Sequence, residues 1–181
     1  MSYADKTPYF EEMDKNAQSS AKDKEIRIRV KLSNKGNYTA DHCLVNVDCY
    51  YEKRAKEDSY CIREFTPISI RDYRNSPPSF VAPNMVYYLD IASIHKTDEM
   101  SKADDENKAH QFYKLFLVGD KMPMKLGTGT FIIPIKFYSS KVKSVVSYLK
   151  IYWDSTEYTT DKRNFIIEML TEKEFNDLKK A

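Results

Sequence analysis

This chain of 181 residues has no dominant charge sign, no long apolar run and very little glycine, and each shortage removes a class of function. Lys and Arg number 29 against 27 Asp and Glu, a formal charge of +2. A surface that grips nucleic acid needs a clustered positive excess, so nucleic acid is not an expected partner. No apolar stretch reaches the roughly 18 residues of a membrane span, and the polar start MSYADKTPYFEEMDKN lacks a signal-peptide core. The expected setting is the cytoplasm, or, if a leader or anchor lies outside this stretch, the soluble part of a membrane-anchored protein.

Only four glycines occur, three of them in GDKMPMKLGTG, and neither GxxxxGKS/T nor GxGxxG is present. No phosphate cradle and no cofactor are therefore expected. Cys43, Cys49 and Cys61 make an odd count, against a fully paired extracellular framework and for a reducing compartment. His42, His95 and His110 sit beside loops without a GxSxG elbow or HExxH context, so no catalytic residue is assigned and the chain is not expected to be an enzyme.

What is present is strand pattern. With 14 Tyr and 9 Phe the chain has the aromatic content to build a core. EIRIRVKL alternates strictly from Glu25, with Ile26, Ile28, Val30 and Leu32 on one face. After the turn residues of SNKGNYTADH, the segment CLVNVDCYY places Cys43, Val45, Val47, Cys49 and Tyr51 on a common face. SYCIREFTPISIRDYR reads as a strand, a break at Pro67 and a second short strand, and NSPPSFVAPN as loop. MVYYLDIASI has two apolar-rich faces, as a central strand requires, with Asp90 interrupting one of them. An unpaired carboxylate there is costly, which calls for a partner or a strand end. QFYKLFLV is a further strand, and TFIIPIKFYSS with VVSYLKIYW looks like a neighbouring antiparallel pair. FIIEML is left open between strand and helix within 163–170. Thr171 and Glu174 have capping-box spacing, with Lys179 and Lys180 in the last turn, so a short closing helix is expected.

Many close strands with almost no helix between them predict an all-β fold, an immunoglobulin-like antiparallel β-sandwich of seven to nine strands with a short C-terminal helix. The division is an N-terminal arm over 1–23, a sandwich over 24–170 and a helix over 171–181. VKLSNKGNYTADHCLVNVDCYY resembles the strand–turn–strand opening of the cell-adhesion-related (CARDB-like) immunoglobulin-like modules of bacteria and archaea, through Val30, Asn34, Gly36, Ala40 and Val45. VAPNMVYYLDIASI and GTGTFIIPIKFYSS with YLKIYWD extend that resemblance over roughly 25–154. It implies a prokaryotic, non-enzymatic spacer or binding unit of a larger assembly. It departs from antibody-type domains, because the late strands have no Cys and Trp153 lies on the last core strand.

For chemistry the bland readings prevail. Cys43 and Cys49 lie six residues apart on one strand, about 20 Å, too far to share an ion, so no metal site is expected. Cys49 with Cys61 is the one disulfide candidate, and none is expected. The acidic run DEMSKADDEN lacks the spacing and glycine of a calcium loop. The positive candidate is IRDYRNSPPSF, where Arg71, Tyr73 and Arg74 precede a proline-stiffened loop of the composition found at protein-binding surfaces. The expected function is a binding or accessory module whose partner is another protein or another domain, docked on strand edges or the 66–84 loop. The alternatives are a carbohydrate-binding module using exposed tyrosines and an enzyme whose site is assembled only in space.

Overall fold

The computed structural model describes residues 9–14, 24–54, 56–70, 79–96, 113–118, 124–140, 142–154 and 165–180. These form twelve strands and one helix: β1 (Tyr9–Asp14), β2 (Lys24–Ser33), β3 (Ala40–Asp41), β4 (Leu44–Lys53), β5 (Cys61–Ser69), β6 (Phe80–Val81), β7 (Val86–Lys96), β8 (Tyr113–Leu117), β9 (Met124–Leu126), β10 (Gly129–Ser139), β11 (Val142–Trp153), β12 (Phe165–Leu170) and α1 (Glu172–Lys180). Sheet I has the order β1-β2-β7-β8-β9 and sheet II the order β12-β11-β10-β4-β5, with β3 and β6 pairing separately. Every pairing is antiparallel.

The two sheets share one core, to which β2 contributes Ile26, Ile28, Val30 and Leu32, β10 Phe131, Ile133, Ile135 and Phe137, and β11 Leu149, Ile151 and Trp153. The alternation of these segments predicts those faces, because side chains along a strand change sides at every residue. Breaks in register are not legible that way, since one slipped residue exchanges the faces of everything beyond it. In β7 the partners of Ile28 and Arg29 are Ala92 and Asp90, which leaves Ile91 as an extra residue. Tyr87 and Leu89 therefore share the core with Ala92 and Ile94, where strict alternation separates them.

In β4 the register slips between Val47 and Cys49. Val45, Val47 and Tyr50 enter the core, whereas Tyr51 meets α1 on the opposite face. This corrects the common face expected for Val45, Val47, Cys49 and Tyr51. The neighbouring strand carries a cause: Pro134 lies within the interruption of the β10–β4 ladder between Ile132 and Lys136, and proline has no N–H to donate. In β5, similarly, Glu64 and Ile68 are the last and next paired residues around Phe65–Pro67, so the expected break is an irregularity inside one edge strand.

Other expectations are revised as well. Tyr9–Asp14, inside the stretch expected as an arm, form β1 along β2, and the question left open for FIIEML resolves to the strand β12. Phe80–Val81 in the expected loop pair with Ala40–Asp41, and Met124–Leu126 in the expected turn pair with β8. These short pairings carry the strand count past nine. The capping box forms as expected, with Glu174 N donating to Thr171 Oγ1 at 3.2 Å and Thr171 N donating to Glu174 Oε2 at 2.7 Å.

The turn after β2 is organised by Asn34, 1% exposed. Its Oδ1 accepts from Gly36 N at 2.9 Å, while its Nδ2 donates to Tyr38 O at 2.8 Å and Val81 O at 2.7 Å. Asn84, at φ 61°, occupies the third position of the turn closed by Met85 N donating to Ala82 O. Pro83 before it supplies the fixed φ of the second position. Both turns belong to the connections that carry the chain between the sheets.

Candidate functional site

Two surfaces gather the polar and aromatic groups, one on the outer side of each sheet. On sheet I, Arg27 and Arg29 project away from the core side chains of β2. Asp90 accepts from Arg29 Nε at 2.5 Å and Arg27 Nη1 at 2.8 Å. Arg29 is 4% exposed and Asp90 5% exposed, so the centre of this outer face is closed to solvent. The partner that an acid on an apolar strand calls for is therefore a guanidinium pair. Farther along β7, Ser93 Oγ and His95 Nε2 share a hydrogen bond of 2.6 Å, and His95 meets Phe116 edge-on with centroids 5.1 Å apart. His95 thus sits in a strand, not beside a loop. Ser93 is buried, which withholds its hydroxyl from a substrate.

On the outer side of sheet II, Asp48 accepts from Lys136 Nζ at 2.5 Å, and this contact holds the Asp48 carboxyl below the ordinary range. Burial, with Asp48 alongside, pushes the Cys49 thiol up to about 11. A thiol held that high carries almost no thiolate at neutral pH and is a poor nucleophile. At the strand end, Glu52 accepts from Arg54 Nε at 2.8 Å and Arg63 Nε at 3.2 Å. Burial alone raises its carboxyl, but the two guanidiniums outweigh burial and bring it below the usual value. Lys150 and Glu168 pair across β11 and β12.

The apolar exposure is uneven. Nine large apolar side chains are exposed among the described residues, and six of them, Leu44, Ile62, Tyr138, Val146, Tyr152 and Ile166, belong to sheet II. Each alternates with a core residue or opposes a residue of the outer side, so all six face outward. Leu44 and Tyr138 are direct cross-strand partners, and so are Tyr152 and Ile166. Between the two pairs lies α1, which covers Tyr51 and Tyr148 with Phe175.

The expected binding residues Arg71, Tyr73 and Arg74 lie outside the described residues, as do His110 and the acidic run. His42 stands at φ 51° between β3 and β4, with Nδ1 3.4 Å from Ser140 Oγ. Cys43, Cys49 and Cys61 are free thiols. Glu52, not Cys49, opposes Cys61, and Cys49 opposes Glu64. A separation of three positions sends the two cysteine side chains to opposite faces. No group of three His, Cys, Asp or Glu able to hold a metal ion occurs among the described residues, and no helix among them is long and apolar enough to cross a membrane. Among the described residues the exposed Tyr138 and Tyr152 do not share a row, because Tyr152 opposes Thr130, eight residues or about 26 Å along β10 from Tyr138.

The outward face of sheet II escaped the sequence reading because its signal is distributed. Leu44, Tyr138, Val146, Tyr152 and Ile166 are single apolar residues at wet positions of four strands, and only the pairing of those strands brings Leu44 beside Tyr138 and Tyr152 beside Ile166. No protein-family model matches this chain, and neither a curated protein nor a solved structure matches it.

Proposed function

We propose that this chain is a non-catalytic binding or accessory module with an immunoglobulin-like β-sandwich, which docks another protein or domain through the outer face of sheet II. The observation that carries the reading is the concentration of exposed apolar side chains on that face, six of nine among the described residues. Scattered single apolar residues need no explanation, whereas here two cross-strand pairs, Leu44 with Tyr138 and Tyr152 with Ile166, stand exposed on one face. The polar groups favour the same reading, since Asp90, Glu52 and Asp48 are each bound to cations and Cys49 is held protonated.

Strand order supports the sandwich part of this reading. β2 pairs with β7 in one sheet and β4 pairs with β10 in the other, so the chain crosses between sheets from β2 to β4, from β5 to β7 and from β9 to β10. Crossings between two antiparallel sheets are what the proposed sandwich needs, while the strand that returns to sheet I lies beside β2 and the edge strands β8 and β9 follow it, the reverse of the order in an immunoglobulin A-B-E-D sheet. The likeness to cell-adhesion-related modules belongs to this proposal and accords with docking rather than catalysis.

The test is retention of partners from the native source by immobilised protein, identified by mass spectrometry. Replacing the paired Leu44 and Tyr138 by Lys should weaken retention about tenfold or more, as loss of a central apolar contact does. Val86→Lys, an exposed position on sheet I, should leave it unchanged. Equal retention by all three proteins refutes the assignment of the face.

A further inference from the structure

An edge strand carries a row of backbone N–H and C=O groups open to any further strand. Among the described residues sheet I ends in β1 and β9, and sheet II in β12 and β5. Three of these four edges carry a feature that discourages pairing. β1 holds Glu11, Glu12 and Asp14, β9 has only three residues with Lys125 at their centre, and β5 combines Pro67 with a slipped register. Charge, shortness, proline and irregularity are the devices by which sheets avoid meeting edge to edge.

β12 has none of them. Its six residues, FIIEML, contain no proline, glycine or cation, and its ladder to β11 runs unbroken from Phe165 to Leu170. The single charge, Glu168, is paired with Lys150 of the neighbouring strand. An even, apolar, low-charge strand of this length is a template for another strand. Ile167 and Met169 pack on the core but stay part-exposed, whereas Leu149, Ile151 and Trp153, one strand inward, are buried. A strand laid along β12 completes for it what β12 completes for β11. α1 leads away from this edge, since Phe175 lies against Tyr148 of β11 and Tyr51 of β4.

The occupant that the edge itself specifies is a second copy. An edge reserved for a different protein still has to be guarded against its own copies, and this one carries no guard. Antiparallel pairing of a strand with its copy needs a two-fold axis normal to the sheet, which keeps like faces together and sets each residue opposite one an even number of positions away. An axis at Glu168 opposes the two acids, which is unfavourable, and an axis at Ile166 or Met169 pairs only three residues of the strand. An axis at Ile167 pairs five of the six, Phe165 with Met169 and Ile166 with Glu168 of the second copy. We infer that the chain forms a two-fold dimer in which β12 pairs with β12 of a second copy about Ile167, joining two copies of sheet II into one sheet of ten strands. The dimer uses the edge of sheet II and not its outer face, so it stands apart from the docking reading above.

The experiment is sedimentation velocity of the full chain over a series of micromolar concentrations, with circular dichroism of each variant as the check on folding. The expected species has twice the 21.2 kDa of the chain. Ile166 is 63% exposed, so a charge there leaves the fold intact, yet it meets Glu168 of the second copy on both sides of the axis. Ile166→Glu should weaken the dimer about tenfold or more relative to Ile166→Lys, which sets opposite charges in the same two pairs. Oxidation tests the axis. In a Cys61→Ser background, which removes the exposed native thiol, Ile167→Cys should cross-link rapidly, because directly opposed residues lie within disulfide reach, and Ile166→Cys should not. A monomer at every concentration overturns the inference. So does a dimer that Ile166→Glu and Ile166→Lys weaken equally, or one in which Ile166→Cys links as fast as Ile167→Cys. Lysines at Leu44 and Tyr138 should leave the dimer unchanged. If they leave partner retention intact as well, the dimer stands and the docking face falls.

Discussion

Replacing Gly129 by Ala should destabilise the protein by about 3 kcal/mol, while the same change two residues earlier should cost nothing. Gly129 opens β10 at φ +143°, where an L side chain is strained by roughly 1–3 kcal/mol. A Cβ built there lies 2.6 Å from Lys53 O, a backbone atom that cannot swing aside as a side-chain tip does. Overpacking of that kind adds roughly 1–3 kcal/mol, part of which is relieved by the same backbone shift that relieves φ. Gly127 has nothing within 4 Å of the equivalent Cβ. Gly127→Ala should therefore be neutral, or stabilise by about 0.4–1 kcal/mol through the unfolded chain. Urea unfolding followed by tryptophan emission reads both, because Trp153, the one Trp in the chain, is buried directly opposite Gly129 in register. Far-ultraviolet circular dichroism checks that the transition is global. With a slope of about 2 kcal/mol per molar urea, Gly129→Ala moves the midpoint down by about 1.5 M. A shift below about 0.25 M, or one equal to that of Gly127→Ala, refutes the close approach of β10 to the end of β4.

Other perturbations address the turn, the ion pairs and the cap. Asn34→Ala removes three hydrogen bonds from a buried turn and should cost about 2–3 kcal/mol in urea unfolding, whereas Asn34→Asp turns a carboxylate toward two carbonyl oxygens and should cost more. The second variant's deficit should shrink below about pH 5, since protonation removes the repelled charge. Asp48 and Glu52 titrate below their ordinary values in the folded protein, so the unfolded chain binds more protons in acid. The stability they contribute is complete above about pH 5 and lost as pH falls through their depressed values. Asp48→Asn should flatten that acid limb of the midpoint–pH curve, and an unchanged limb would deny Lys136 its role. Thr171→Ala should weaken the α1 cap by about 1 kcal/mol, seen as faster amide exchange in α1 with no change in the strands.

Single strands were legible where one face stays dry along their whole length. β2, β10 and β11 carry their core residues at alternate positions, and Ile28, Ile133 and Ile151 sit where alternation puts them. The capping box was legible for a related reason, because Thr171 and Glu174 are bonded to each other. The faces of β4 and β7 were not, since a bulge is decided by two strands at once. In β4 the slip accompanies Pro134, far away in sequence, and nothing in CLVNVDCYY records it. The same limit explains the short strands. Phe80–Val81 and Met124–Leu126 have two or three residues each and exist only through Ala40–Asp41 and β8. Asp90 marks the boundary between the two cases: that it needed a partner followed from its apolar strand, but Arg27 and Arg29 became that partner only when β2 and β7 paired.

The distribution of charge across the two outer faces bears on the docking face proposed above. Sheet I spends its polar side chains on one another, so that Arg29, Asp90 and Ser93 are buried with their bonds made and offer an incoming surface little to exchange. Breaking such a pair exposes an uncompensated charge, which makes that face costly to remodel. Sheet II instead keeps its ion pairs, Lys136 with Asp48 and Lys150 with Glu168, partly exposed between apolar residues that are exposed too. A partner covering Leu44 and Tyr138, or Tyr152 and Ile166, removes apolar surface from water without disturbing a buried charge. Among the described residues sheet II offers six exposed large apolar side chains for such burial and sheet I only Val86, each worth about 25 cal/mol per Å² removed from water.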